Sequence, residues 1–201
     1  MILLARHGET DDNVPPLRFQ GHRDTPLNDT GRAQARALGE RVAALDPPVA
    51  ALWSSDLSRA RETAELVGER IGLAPRLDAR LREGWRGEWE GFLCEQIAER
   101  EPERYAAWRT PEPRIGFRFP GGESLAEHQA RVLACLRDVD AELGATVGRS
   151  PAGDEPAALV VCHGGSIRAV LCAHDPRGLA AFHTFEVPNV ALVPVERAVP
   201  R

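Results

Sequence analysis

The chain of 201 residues contains no lysine; all 25 basic residues are arginine. Schiff-base catalysis and a phosphate loop of the G-x-x-x-x-G-K type are therefore excluded by inventory. Long apolar runs are missing as well. The longest, Ala157–Cys162, is far too short to span a bilayer. Met1–Ala5 meets Arg6 at once, with neither the charged start nor the apolar length of a secretion signal. A cytoplasmic protein with no membrane partner is the expectation. Cysteine is sparse, with Cys94, Cys135, Cys162 and Cys172 forming no C-x-x-C pair, so reduced structural thiols are expected rather than a disulfide scaffold. Excess basic charge is also absent. A net charge of −5 and a pI near 5.7 argue against a nucleic-acid partner. No G-x-S-x-G serves a serine hydrolase and no G-x-G-x-x-G follows a strand.

Hydrophobic residues make up 43% and charged residues 27% of the chain, an ordinary soluble composition. A chain of this length buries about 70% of its extended surface on folding, enough for one domain over 1–201. Short apolar runs at Ile2–Ala5, Val49–Trp53 and Ala157–Cys162 read as buried strands, and Phe182–Val187 and Val190–Val195 as two more. Between them lie helical patterns. One spans about 30–45, capped by Asn28 or Thr30; a second spans 56–71, capped by Ser55 or Asp56 and stopped at Gly72. Ser124-Leu-Ala-Glu127 is a capping box opening a third that ends at Gly144, and a fourth covers about 165–173. Thr146–Pro156 reads as a flexible polar loop. Strands alternating with helices indicate an α/β fold: three layers, with a mostly parallel sheet between helices. Residues 84–122 carry seven of the eleven aromatics together with Arg86, Arg100, Arg104, Arg109, Arg114 and Arg118. They read as a small, mostly helical cap over one end of the sheet.

Two histidines occupy equivalent places, each after a buried strand and before glycine: Arg6-His7-Gly8 and Cys162-His163-Gly164-Gly165. In open α/β sheets ligands bind beyond the carboxyl ends of strands, so both can reach one spot. The glycines allow close backbone approach, and amides opening a helix favour an anion. Arg59, in the first turn of its helix and off the apolar stripe, faces solvent or the site. Arg6, next to the core, needs an anionic partner. Two arginines, two histidines and helix-terminal amides add up to a phosphate site. A metal is the competing use of paired histidines, but Arg6 beside His7 repels a dication and no further ligand set is present.

These residues resemble the histidine phosphatase superfamily, also called phosphoglycerate mutase-like, across nearly the whole chain. Arg6-His7-Gly8-Glu9-Thr10 with Asn13 is similar to its signature, and Gly21 to Gln34 to its G-x-x-D-x-P-L-x-x-x-G-x-x-Q segment. Ser54 to Ala60 resembles the stretch that supplies a second phosphate arginine; Leu81-Arg-Glu83 with Gly87 to Gly91 resembles an acid loop. Pro120-Gly-Gly-Glu-Ser124 and His163-Gly-Gly complete the series.

The resemblance implies the phosphoglycerate mutase-like fold and a role for each matched residue. His7 would be the nucleophile, while Arg6, Arg59 and His163 hold the non-bridging oxygens. Asn13 and the Gly164 amide would add donors, as would the Gln20-Gly21 turn. Glu83 would protonate the leaving alkoxide and then deprotonate the hydrolytic water. No metal or cofactor is implied. Asp12 and Cys162 stand where the family often has an aromatic and a serine, which touches substrate preference more than chemistry. Without the longer basic lid of dedicated mutases, the chain looks like the smaller phosphatase branch. The expected activity is metal-independent hydrolysis of a small phosphorylated metabolite through a phosphohistidine. A 2,3-bisphosphoglycerate-dependent mutase is the alternative, and a non-catalytic phospho-ligand module the third reading. A homodimer is neither required nor excluded.

Overall fold

A computed structural model describes residues 1–111, 116–146 and 157–195. Five strands, β1 (Ile2–Arg6), β2 (Val49–Ser54), β3 (Arg76–Leu77), β4 (Ala157–Cys162) and β5 (Leu192–Val195), form one sheet in the order β3-β2-β4-β1-β5. All pairings are parallel except that of β1 with β5 at one edge. The described helices are α1 (Asp29–Ala43), α2 (Ser58–Ile71), α3 (Cys94–Arg100), α4 (Pro102–Arg109), α5 (Leu125–Thr146) and α6 (Gly164–His174). The fold is therefore the three-layer α/β arrangement with a mostly parallel sheet that the sequence leads one to expect.

Side chains alternate across the sheet, and each half of the alternation builds one core. Leu3, Ala5, Leu159 and Val161 pack with Leu38 and Val42 of α1 and Ala60, Ala64 and Val67 of α2. Ile2, Leu4, Ala158 and Val160 face the other way, against Val132, Leu136 and Val139 of α5 and Ile167 and Val170 of α6. Because β4 is covered on both faces, it is apolar throughout and fully buried. Each fully buried aliphatic side chain stabilises by about 1.5–3 kcal/mol. A third cluster gathers aromatics of residues 84–122, the segment read from the sequence as a cap. Trp89, Trp108, Phe117 and Phe119 pack together over Leu125, Ala169 and Phe182, with Trp89 wholly buried. The cap pairs α3 and α4 with a 3₁₀ turn at Gly87–Trp89.

Asn28 is the N-cap of α1, its Oδ1 accepting the Gly31 N–H at 2.8 Å. Ser124 and Glu127 form the reciprocal bonds of a capping box at 3.3 and 2.9 Å, and α5 continues past Gly144 to Thr146. The polar stretch at 147–156 lies outside the described residues. Two expectations are corrected. Residues 182–187 form no strand: a 3₁₀ turn at Gly178–Ala181 leads into a loop, and Phe182 and Phe185 pack into the aromatic cluster. Their spacing of three never matched the two-residue period of a strand, and Pro188 breaks the segment. The N-cap of α2 is Leu57, because Asp56 is taken by Arg82 at 2.5 Å; Ser55 Oγ still accepts the Leu57 N–H at 3.3 Å. The two-residue strand β3 carries no sequence signal of its own, both its residues being exposed.

Candidate active site

Strand order brings the two histidines together. Arg6 and Cys162 are register partners at the ends of β1 and β4, and the His7 N–H donates to the Cys162 carbonyl at 3.0 Å. His7 and His163, the next residues, lie edge to face with ring centroids 5.1 Å apart. On the other side of β4, the end of β2 delivers Ser55, whose Oγ is 2.9 Å from His163 Nε2. The start of α2 delivers Arg59, which is wholly buried beneath the site rather than facing solvent.

Each of these side chains is fixed by a backbone or side-chain partner, adjacent for His7 and remote in sequence for His163, Arg59 and Arg6. His7 Nδ1 lies 2.6 Å from the Gly8 carbonyl. A carbonyl only accepts, so Nδ1 carries the hydrogen and Nε2 keeps its lone pair. Burial pushes His7 well below the ordinary histidine value, and Arg59 and Arg6 push it the same way. His163 is likewise lowered by burial and by Arg59, so both rings are neutral at pH 7. The Gly8 N–H donates to Thr63 Oγ1 at 3.1 Å, and Asn189 Nδ2 donates to the His7 carbonyl at 3.1 Å. Arg59 spends both Nη groups on the carbonyls of Arg23 and Gly21, each at 2.8 Å. Arg6 Nη1 donates to Val187 at 2.7 Å. What remains is Arg6 Nε, Arg59 Nε and His163 Nδ1, all buried and without a hydrogen-bond partner. Buried polar atoms are almost always paired. These three, with the likewise unpartnered Nη1 of Arg86 on the cavity wall, are donors that an oxygen-rich, anionic group can satisfy.

Glu83 approaches from the opposite side. It follows a 3₁₀ turn at Ala79–Leu81, and Arg131 of α5 locks that loop: its Nη groups donate to the carbonyls of Arg80, Arg82 and Glu83 at 2.7–2.8 Å. Glu123 holds Arg131 in turn, at 2.6 and 3.0 Å. The Glu83 carboxylate accepts from the Gly84 N–H at 2.7 Å and the Gly165 N–H at 2.9 Å, with Arg86 3.4 Å away. Burial pulls its pKa up, but Arg86, His128 and the two amides outweigh this and hold it far below the usual carboxylate range. Glycine at 165 lets Glu83 approach, since a Cβ there would stand 2.8 Å from the Glu83 carboxyl carbon. At Gly164 the nearest atom, Arg6 Nε, would be 3.4 Å away, so its neighbour makes the closer approach.

A cavity of about 490 Å³ opens over this floor, lined by Arg6, His7, Asn13, Glu83 and Gly164 among others. Gln20 and Gly21 also line it. Asn13 is partly committed: its Oδ1 accepts the Thr10 N–H and its Nδ2 donates to Asn189 at 3.0 Å. Gln20 Nε2 donates to Thr10 Oγ1. Gly21 meets Arg59 through its carbonyl and so acts as an acceptor there. The cap adds Arg86, whose guanidinium lies 4.5 Å over the Phe119 ring. Sequence reading missed Ser55 as a partner of His163, together with Arg131, His128 and Asn189, because their contacts cross between elements. Among the described residues no group of three or more His, Cys, Asp or Glu side chains could hold a metal ion. No described helix is long and apolar enough to cross a membrane.

Known proteins resemble this chain in sequence and fold. Glucosyl-3-phosphoglycerate phosphatase of Mycobacterium tuberculosis is 40% identical over 174 residues, 86% of this chain and 74% of the relative. Phosphoglycerate mutase-like protein 4 of Arabidopsis thaliana is 34% identical over 171 residues, 84% and 68% of the two chains. The solved native structure of the mycobacterial glucosyl-3-phosphoglycerate phosphatase superposes with a TM-score of 0.80 at 31% identity, covering 95% of this chain and 87% of that one. Residues 2–198 match the family model of the histidine phosphatase superfamily (branch 1), and the chain belongs to that superfamily.

Proposed function

We propose that the protein hydrolyses a small phosphomonoester through a phosphohistidine at His7 Nε2, without a metal. One observation carries the reading: the Nδ1–H of His7 is tied to the Gly8 carbonyl while donors of Arg6, Arg59 and His163 are left buried and unpartnered. The phosphoryl oxygens take those donors, joined by the Gly164 amide and Asn13. Ser55 Oγ–H donates to His163 Nε2, which leaves the His163 Nδ1–H for phosphate. The Nε2 lone pair attacks phosphorus as the ester P–O bond breaks, and Glu83 gives its proton to the departing alkoxide. Water then gives a proton to Glu83 and attacks phosphorus; the P–N bond breaks and its electron pair returns to Nε2.

The depressed pKa of Glu83 means that it meets substrate as a carboxylate. Its proton arrives with the ester, whose second pKa is about 6. Once the phosphoryl group engages Arg6 and Arg59, negative charge beside Glu83 raises its affinity for that proton. Incubation with 32P-labelled ester and rapid quenching tests the scheme. The expected adduct is stable in alkali, labile in acid, maps to His7 and forms undiminished in excess EDTA; its absence from His7 overturns the reading. The mutase-like relative motivates one control: sharp stimulation by catalytic 2,3-bisphosphoglycerate, with isomerisation in place of phosphate release, identifies a mutase.

A further inference from the structure

Deepening the phosphatase reading, on which it rests, we propose that His128 is a positioning residue for the proton step: through Ser166 it holds Glu83 and the amide that grips Glu83 Oε2 in one register. His128 lies near the start of α5 and Ser166 in the first turn of α6, and both are wholly buried. Ser166 Oγ is 3.1 Å from the Arg82 carbonyl and 3.0 Å from His128 Nε2. A carbonyl only accepts, so the single hydroxyl hydrogen goes to Arg82, and Oγ accepts the Nε2–H of His128. Both backbone neighbours of this hydroxyl adjoin the acid. Arg82 precedes Glu83, and Ser166 follows Gly165, whose N–H donates to Glu83 Oε2 at 2.9 Å. One hydroxyl, oriented by His128, therefore pins the chain on both sides of the carboxylate.

The other ring nitrogen supports the same tautomer. His128 Nδ1 and Arg86 Nη1 are both buried and without a hydrogen-bond partner among the described residues. They stand 2.9 and 3.0 Å from where a Cβ on Gly84 would lie, so the two flank one point. Arg86 can only donate; a bare Nδ1 complements it there, whereas an Nδ1–H would set donor against donor. Burial, reinforced by Arg131, keeps the ring neutral among Glu83, Glu123, Arg86 and Arg131. The consequence falls on the two oxygens of Glu83. Oε1 accepts from the Gly84 N–H at 2.7 Å and lies 3.4 Å from Arg86 Nη2 and 3.9 Å from His128 Nε2. Among the described residues Oε2 takes only the Gly165 N–H. Donors around an oxygen disfavour a proton on it, so the proton that passes to the leaving group is carried on Oε2.

The test compares glycerol 3-phosphate, whose alkoxide needs a proton, with p-nitrophenyl phosphate in the wild type, His128→Met, His128→Gln and Ser166→Ala. His128→Met keeps the bulk and loses the donor. Its kcat on glycerol 3-phosphate should fall by about tenfold with KM unmoved, while the aryl ester loses less than about threefold. His128→Gln, whose amide reaches the place of Nε2, should regain most of the loss. Ser166→Ala should match His128→Met, and the double variant should cost little more than either, because both break one chain. Should His128→Met not fold, Ser166→Ala carries the same comparison of esters. 15N NMR of histidine-labelled protein, with the His128 signals assigned by their loss in His128→Gln, should show the Nε2–H tautomer. Equal losses on both esters, additive losses in the double variant, no rescue by glutamine, or an Nδ1–H tautomer would each overturn the role of His128 and leave the hydrolase reading intact. A wild type that releases phosphate from neither ester refutes the hydrolase reading itself, and the role of His128 with it.

Discussion

Gly165→Ala offers a sharp separation of catalysis from stability. The position lies in the first turn of α6 with no left-handed backbone angle, so alanine fits the helix and removes glycine's entropic cost of about 0.5–1 kcal/mol. The new methyl, however, would stand 2.8 Å from the Glu83 carboxyl carbon, where ordinary contact begins at 3.4 Å. The carboxyl carbon must retreat by at least 0.6 Å, the difference between those distances, and Oε1, which lies nearer, by more. Glu83 can move, since it is a side-chain terminus, but moving breaks its 2.9 Å bond from the Gly165 N–H. Misplacing a catalytic group by about 1 Å costs around 10²-fold. If Glu83 is the acid, the loss falls on leaving groups that need protonation. Turnover of an alkyl phosphate should drop by about 10²-fold while p-nitrophenyl phosphate loses less than about fivefold. Thermal unfolding should change by no more than a few degrees. Equal losses on both esters would refute the role assigned to Glu83, and undiminished alkyl-ester turnover would refute the packing argument.

Arg131→Met removes the five donors that tie the 80–83 loop to Glu123 and leaves that carboxylate half-buried and unpaired. A cost of about 3 kcal/mol in urea unfolding is expected, with alkyl-ester turnover falling further than aryl-ester turnover. Acid should destabilise the protein well before most carboxylates titrate. Burial, reinforced by Arg131, lowers His128 to about 3, and His7 and His163 are also buried neutral. The unfolded chain then binds more protons below about pH 6.5, so each such histidine removes about 1.4 kcal/mol per pH unit as pH falls from 6.5 toward its folded value. Urea midpoints measured from pH 7 to 4 should decline steadily, and His128→Asn should flatten the slope; a pH-independent midpoint would contradict the neutral assignment.

Much of the site was legible because its signals are local. A buried strand ending in histidine and glycine, met twice in an α/β order, places two imidazoles at strand ends whatever the rest of the chain does. Asn28 and the Ser124–Glu127 box are equally local, since each satisfies backbone groups three residues away. Where a segment's fate depended on distant partners, its own pattern misled. Phe182–Val187 is apolar and short, as a strand would be, yet Phe182 is drawn into the aromatic cluster built by the cap. Arg59 sits off its helix's apolar stripe and still is wholly buried, because carbonyls of the 20–24 loop fold over it.

The sequence by itself determined which chemistry was available: no lysine, two strand-terminal imidazoles, arginines at and near the strand ends, and the layering of helices on a parallel sheet. Those features follow from residue inventory and from periodicities that operate within one element. Tertiary structure alone decided which N–H groups stay unpartnered, which nitrogen of His7 keeps its lone pair, and that Glu83 rests as a carboxylate. Hydrogen-bond saturation and electrostatic shifts are set by neighbours such as Val187 beside Arg6, Ser55 beside His163 and Gly165 beside Glu83, tens of residues away along the chain and a few ångströms away in space.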